Sequence, residues 1–545
     1  MDKTQHDNLP AVVTTYIDAI IKKMRYRKSV RAEVRQELTD HFADALADCT
    51  TEQEKQERAN ALIEQFGDAK LLGILLRRAK KRCRPLWRTM VVRMFQAVGI
   101  LFVLLTAYVG WIMTGKPVVT TNYLEVLNQQ VRPVVDESLN AWPYYKQAAE
   151  KYVGPTDEQF DISPRPLSTL TSQDREVLVQ WIADNQKPLD LIRQGSQKPY
   201  YWQLYDTGDD QTNEIISVQL PHLGDYRCLA YMLCWKATLK VEAGNLVLAF
   251  EDVFMTYSFG RHLRGQHTIL IEQLVAIAIE AMAAKEIRGI ADAHIGDIDV
   301  DLLNSSRQRF QQKIDGQNFR ISFETEKLFM YDELQRGFTQ PRFGRTHVYV
   351  PRLRVIHSKG FDFLDHFFYF FHLHPMLLRQ PGREQTRQQF EHYFNVSGTL
   401  SQKTPASLQK ASIDIDQQLE EIVKENVFLE ILAPALGRIV LLSYRSQTDS
   451  FATLTILAIL QYEKTHGTYP DSLETLVEAG LLEAVPMDPF SDEPLVYQRT
   501  EEGFTVYSVG QNFTDNGGVP GTDRHGKPMV WADEGDAVFW PVLDK

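Results

Sequence analysis

Hydrophobic positions recur at helical spacing through the first eighty residues. Val13, Ile17, Ile20, Ile21 and Met24 share one face, and Val30, Val34, Leu38, Phe42 and Leu46 repeat at i, i+4. This spacing predicts three or four short helices over residues 10–80. Ser29 is placed to cap the second. Thr51 with Glu54 three residues on makes a capping box for the third. Gly67 is a stop, and Asp68 can cap the helix that follows. The amphipathic pattern then gives way to MFQAVGILFVLLTAYVGWIMT, residues 94–114, which has 21 residues and no charge. At ~1.5 Å per residue it spans ~30 Å, the thickness of a bilayer's hydrocarbon. It is expected to cross a membrane once, with Tyr108 and Trp111 near the far interface.

Beyond it, residues 115–446 return to amphipathic helical spacing. Tyr226–Glu242 and Leu246–Leu263 read as a helical pair around Gly244-Asn245, and Ile269–Ile290 as a third helix. The stretch LKVEAGNLVLAFEDVF has the texture of a TPR-like hairpin. Only one such unit is visible where an array needs about three. A TPR-like body and an irregular bundle therefore both remain open. From residue 447 the texture changes again. Thr453–Thr465 reads as a helix stopped by Pro470, and a short helix capped by Asp471 or Ser472 ends near Gly480. Asp488-Pro489 marks a turn. Leu495–Gln498 and Phe504–Val509 alternate as two strands joined through Glu502-Gly503. The fold expected is mainly α: a cytoplasmic helical bundle (1–80), a basic juxtamembrane segment (81–93), one membrane helix (94–114), an extracytoplasmic helical body (115–446) and a small α+β domain (447–545).

Charge sets the expected orientation. Seven basic residues and no acidic one lie between Arg78 and Arg93, whereas the twenty residues after the apolar stretch carry only Lys116 and Arg132 as cations. The positive-inside rule places the N-terminus in the cytoplasm. Residues 1–30 are polar and charged, so the apolar helix is expected to serve as an uncleaved signal anchor. Residues 1–93 hold 19 basic and 13 acidic side chains, a net +6, which leaves −18 of the total −12 for the remainder. A basic inner segment suits anionic lipid. The overall balance argues against a nucleic-acid binder. The composition, 44% hydrophobic and 24% charged, is that of a globular chain and excludes wholesale disorder. The expected compartment is a bacterial inner membrane. The expected partners are the bilayer and proteins on either side of it.

Four cysteines in 545 residues exclude a disulfide scaffold. Cys228 and Cys234 lie on one predicted helix about 120° and ~9 Å apart, too far for an unstrained bridge. His357, His366, His372 and His374 fall within eighteen residues. Imidazoles at i and i+2 of a helix diverge, whereas zinc needs converging ligands. Their surroundings, FDFLDHFFYFFHLHP, read better as an aromatic packing or interfacial helix. No G-x-S-x-G, P-loop, Rossmann glycine pattern or C-x-x-C is present. The leading expectation is a non-enzymatic envelope protein that presents a binding or assembly surface. The alternative is an extracytoplasmic metal-dependent enzyme that uses the His357–His374 region.

Two resemblances add to this. Glu33–His41 (EVRQELTDH), Ala61–Phe66 (ALIEQF) and the Gly67-Asp68 step resemble the HAAS-type helical domain that precedes membrane segments in bacterial proteins. That resemblance implies a cytoplasmic partner and a regulatory role. Gly467–Pro470 (GTYP), Leu473–Val477, Val485-Pro486, Asp488-Pro489 and Tyr507–Gly510 resemble the globular half of the major pseudopilin of type II secretion. Such domains also close membrane-anchored proteins of planctomycete type. The long N-terminal pilin helix is missing here, since Phe451–Leu460 is too short to span a bilayer. A secretion role is therefore analogy from fold alone. The resemblance also implies a calcium loop. By position Asn512 matches the first side-chain ligand and Asp533 and Asp536 the later acidic pair, with Asp515 and Asp523 as further oxygens. Calcium takes six to eight oxygen ligands in flexible geometry.

Overall fold

A computed structural model describes residues 9–543 except 83–85, 113, 157–158, 160–168, 209–212, 266, 316–318, 341–345, 353–379, 434 and 502. It is mainly helical and divides into two compact units, Met1–Trp111 and Ile112–Lys545.

The first unit holds α1 (Ala11–Met24), α2 (Lys28–Leu46), α3 (Glu52–Phe66), α4 (Ala69–Arg82) and α5 (Leu86–Ile112). The stripe Val13, Ile17, Ile20, Met24 meets Val34, Leu38, Phe42 and Leu46 in one small core, as the spacing required. Thr51 and Glu54 form the reciprocal capping box, and Asp68 accepts from the Lys70 and Leu71 amides. Ser29 is not the cap of α2. Arg31 N–H already bonds Arg27 C=O, so the helix starts one residue before the serine. In α5, Met90–Tyr108 has a mean hydropathy of 2.0 with none of it buried. Phe95 is 67% exposed and Leu101 66%. Among the described residues this is one helix long and apolar enough to cross a membrane. An apolar cylinder of that length, bare on every side, is the form hydrocarbon favours and water does not.

The second unit begins with α6 (Tyr123–Val131), α7 (Trp142–Glu150), α8 (Ser172–Asp184) and α9 (Gln186–Ser196). Its centre is α10 (Leu223–Glu242), α11 (Leu246–Leu263) and α12 (Leu270–Ala293). The first two form the expected hairpin around Gly244-Asn245. At Gly260 an added Cβ would lie 3.1 Å from the Ala276 carbonyl and the Glu280 amide, so its bare backbone lets α11 approach α12 closely. Two arginines brace the crossing: Glu280 accepts from Arg261 at 3.2 Å and Arg264 at 2.7 Å. Then follow α13 (Val300–Ile314), α14 (Glu324–Gly337), α15 (Arg383–Ser401), α16 (Pro405–Lys410), α17 (Ile415–Lys424), α18 (Val427–Leu432), α19 (Leu436–His466) and α20 (Leu473–Glu478).

The strands come last. β1 (Met487–Asp488) pairs β2 (Glu493–Pro494). β3 (Val496–Arg499), β4 (Phe504–Ser508) and β5 (Ala537–Trp540) make an antiparallel meander. Arg499 faces Phe504 and Tyr507 faces Val538. The boundary expected at residue 447 falls in the middle of α19, a single helix of 31 residues. One core joins Phe250, Phe254 and Ile287 of the body to Leu457, Leu460, Val506 and Phe539. The polar run Ser443–Ser450 around that boundary is mostly buried. Its hydroxyls bond back into the helix or across to Glu280 and Tyr257.

Candidate functional site

A concavity lies where α12 and α19 meet the segment after β4. It has a volume of 810 Å³. Seven residues, two helical turns, separate Arg438 from Arg445 on α19, which brings both to one face. Lys285 and Arg288 come to the same cleft from α12. The opposite wall is Gln511, Pro528–Trp531 and Asp533, closed by Val538, Phe539, Val542 and Leu543.

Its cations are held differently. Arg288 is buried and neutralised: it donates to Asp449 at 3.0 Å and to Thr453 at 2.6 Å, and it faces the Phe539 ring. The second Asp449 oxygen accepts from the Trp531 indole at 3.1 Å. One carboxylate thus ties α12, α19 and the loop wall together. Arg445 lies over the Trp531 ring, 5.5 Å from its centroid. Its Nε is buried with no hydrogen-bond partner among the described residues. Burial draws its pKa down, with Asp533 acting against that and Arg438 with it. Arg438 and Lys285 are exposed at the rim. The result is a cationic mouth on an apolar, aromatic interior, suited to holding an anion out of bulk water.

Of the five residues expected to hold calcium, three come together. Both Asp536 oxygens accept the Asn516 amide, and one also accepts Gly518 N–H at 2.7 Å. Asp515 accepts from the Tyr507 hydroxyl at 3.0 Å and from Gly517 N–H at 2.8 Å. Asn512 bonds Asn516 at 2.7 Å. Asp523 stands apart, closing its own turn by accepting the His525 and Lys527 amides. Asp533 is at the rim of the cleft. Calcium takes six to eight oxygens, backbone carbonyls among them, and here backbone N–H groups bond the Asp515 and Asp536 carboxylates. Backbone contact also closes this loop: a Cβ on Gly521 would strike the Glu534 carbonyl at 1.7 Å.

His357, His366, His372 and His374 lie outside the described residues. Cys228 and Cys234 are free thiols, as their spacing required. Among the described residues no three His, Cys, Asp or Glu side chains are grouped to hold a metal.

A second polar cluster is internal. Glu272, at the start of α12 and fully buried, accepts from Tyr205 at 2.5 Å, from the Ile269 amide at 3.0 Å and from Gln203. Burial pushes its pKa up to about 7 against these bonds. His262 bonds the Tyr145 hydroxyl at 2.6 Å and stacks on Tyr201.

The cleft was not found from sequence. The signal available was Arg438 and Arg445 two turns apart on a segment otherwise apolar or small. The boundary expected at 446/447 put the two arginines at the end of one domain and the opposite wall in another. No family model, curated protein or solved structure matches the chain.

Proposed function

We propose that the chain is a non-enzymatic, single-pass envelope protein of a bacterial inner membrane. Residues 9–82 form its cytoplasmic helical unit, and α5 anchors it with the N-terminus inside. The larger unit, residues 112–545, presents a binding surface on the far side for a regulatory or secretion-like assembly. The bilayer is one partner, and proteins on either side are others. One observation carries this reading: the 810 Å³ cleft with cations at its mouth and apolar rings within. Arginine, lysine and hydrocarbon hold a ligand without moving protons, whereas general acid–base work needs groups that titrate near neutrality. Among the described lining residues Asp533 is the one carboxylate, and it is exposed at the rim.

The test is native mass spectrometry of the full chain, purified in mild detergent from its own membrane. The reading expects a non-covalent adduct that is lost when Val530, in the cleft wall, is replaced by Trp. An adduct unchanged by Val530→Trp, or none at all, refutes it.

A further inference from the structure

We propose that the cleft between α12, α19 and the Gln511–Asp533 wall takes an amphipathic anion: one carboxylate or phosphate group on an apolar body. This deepens the binding role proposed above and rests on it.

The charge on the lining is one-sided. Arg438 and Arg445 face it, with Asp533 the one carboxylate among the described lining residues, while Asp449 already satisfies Arg288. Arg438 and Arg445 stand two turns apart on one face of α19, so their like charges share the cleft. An anion between them offsets those charges, which a cationic or neutral ligand would not do. Arg445 is the specific recogniser. Its guanidinium lies over the Trp531 ring, 5.5 Å from the centroid, at the lining of the cleft. A planar guanidinium lining the cleft matches the fork of a carboxylate or phosphate.

The interior requires the second half of the ligand. Leu441, Leu442, Val530, Trp531, Phe539 and Leu543 form its walls. An inorganic ion would leave this surface wet, whereas an alkyl or aryl body gains about 25 cal/mol per Å² of apolar area covered. A volume of 810 Å³ is in the range of pockets that enclose small organic ligands. Trp531 is held in place from behind by Asp449, so the wall is set before a ligand arrives.

The test uses the full chain in lipid discs, titrated calorimetrically with empty discs as the blank. The probes are octanoate, octyl phosphate, octylammonium, acetate and inorganic phosphate. At least one of the two alkyl anions should bind at least about tenfold more tightly than its chainless counterpart. Octanoate alone would point to a carboxylate, and octyl phosphate alone to a lipid-type phosphate. Octylammonium should give no saturable heat. Arg438→Glu, at an exposed position, should weaken the anion by about tenfold or more, and so should Arg445→Ala. Equal binding of octylammonium, equal affinity in Arg438→Glu, or silence of both alkyl anions overturns the proposal. Silence beside a native adduct that Val530→Trp abolishes would sink the anion class and leave the binding role standing. Loss of that adduct dependence would sink both.

Discussion

Replacing Glu272 by Gln should change how stability depends on pH in a direction the structure fixes. Glu272 is fully buried, and burial raises its pKa from 4.5 to about 7 in the folded chain. Below pH 4.5 the folded and unfolded states both hold its proton. Between 4.5 and about 7 only the folded state holds it, so stability falls as pH rises and the loss is complete above 7. That gap is worth about 3 kcal/mol. His262 acts in the opposite sense. Burial, with Lys313 next, lowers its pKa from 6.5 to about 4. Its contribution is therefore present above 6.5 and lost as pH falls through 4. Across pH 4.5–6.5 the two slopes oppose each other, and the wild type hides both. In Glu272→Gln the Glu272 slope disappears. The stability of the variant minus that of wild type should thus rise by about 3 kcal/mol from pH 4.5 to 7 and be level outside it. Its absolute stability should be lower at acid pH, because an amide cannot accept from Ile269 N–H and Gln203 on both of its ends. Urea unfolding of the full chain, followed by tryptophan fluorescence at several pH values, measures this. Trp142, Trp181, Trp202, Trp235, Trp531 and Trp540 all report on the larger unit. A difference curve that stays flat between pH 4.5 and 7 would refute the reasoning.

Asp449→Ala should destabilise the larger unit by about 3–5 kcal/mol, because it strands the buried Arg288, and should red-shift Trp531 emission; a loss under about 1 kcal/mol would show that the pair is no clamp. Millimolar calcium should raise the wild-type melting temperature by ordering the loop that carries Asp515 and Asp536, and Asp536→Ala should abolish the rise. No change in melting at millimolar calcium would show that the loop is metal-free. Protease added to intact spheroplasts should cut within residues 112–545 and spare residues 1–93. Protection of the C-terminal side would reverse the orientation.

The elements whose side chains repeat in one simple period were legible. The α1 and α2 stripes, the Thr51–Glu54 cap, the Gly244-Asn245 hairpin and the β3–β4 pair all sit within about two residues of where the pattern puts them. The apolar helix was legible because its run of 21 residues carries no charge and no proline. What escaped was tertiary. The Ser443–Ser450 run is polar by composition, yet it is the buried middle of α19, because small hydroxyl side chains satisfy themselves within a helix and allow close packing. With a boundary expected at residue 447, the body and the C-terminal sheet were expected to be separate, and the cleft between them could not be foreseen. Its key groups, Arg445, Trp531 and Asp449, lie up to 86 positions apart in sequence. No local pattern joins an indole to a carboxylate across that distance. The acidic loop shows the converse. Its five oxygen-bearing residues are close in sequence, but Asp523 and Asp533 are drawn away by their own turn and by the cleft rim.

The most direct measurement is an electron cryo-microscopy map of the full chain, purified from its own membrane into lipid discs. The account predicts α5 embedded in the disc and non-protein density in the cleft, with its polar end beside Arg445 and Arg438 and its body against Trp531. A cleft closed by the chain's own side chains, or an α5 buried in protein rather than lipid, would contradict it.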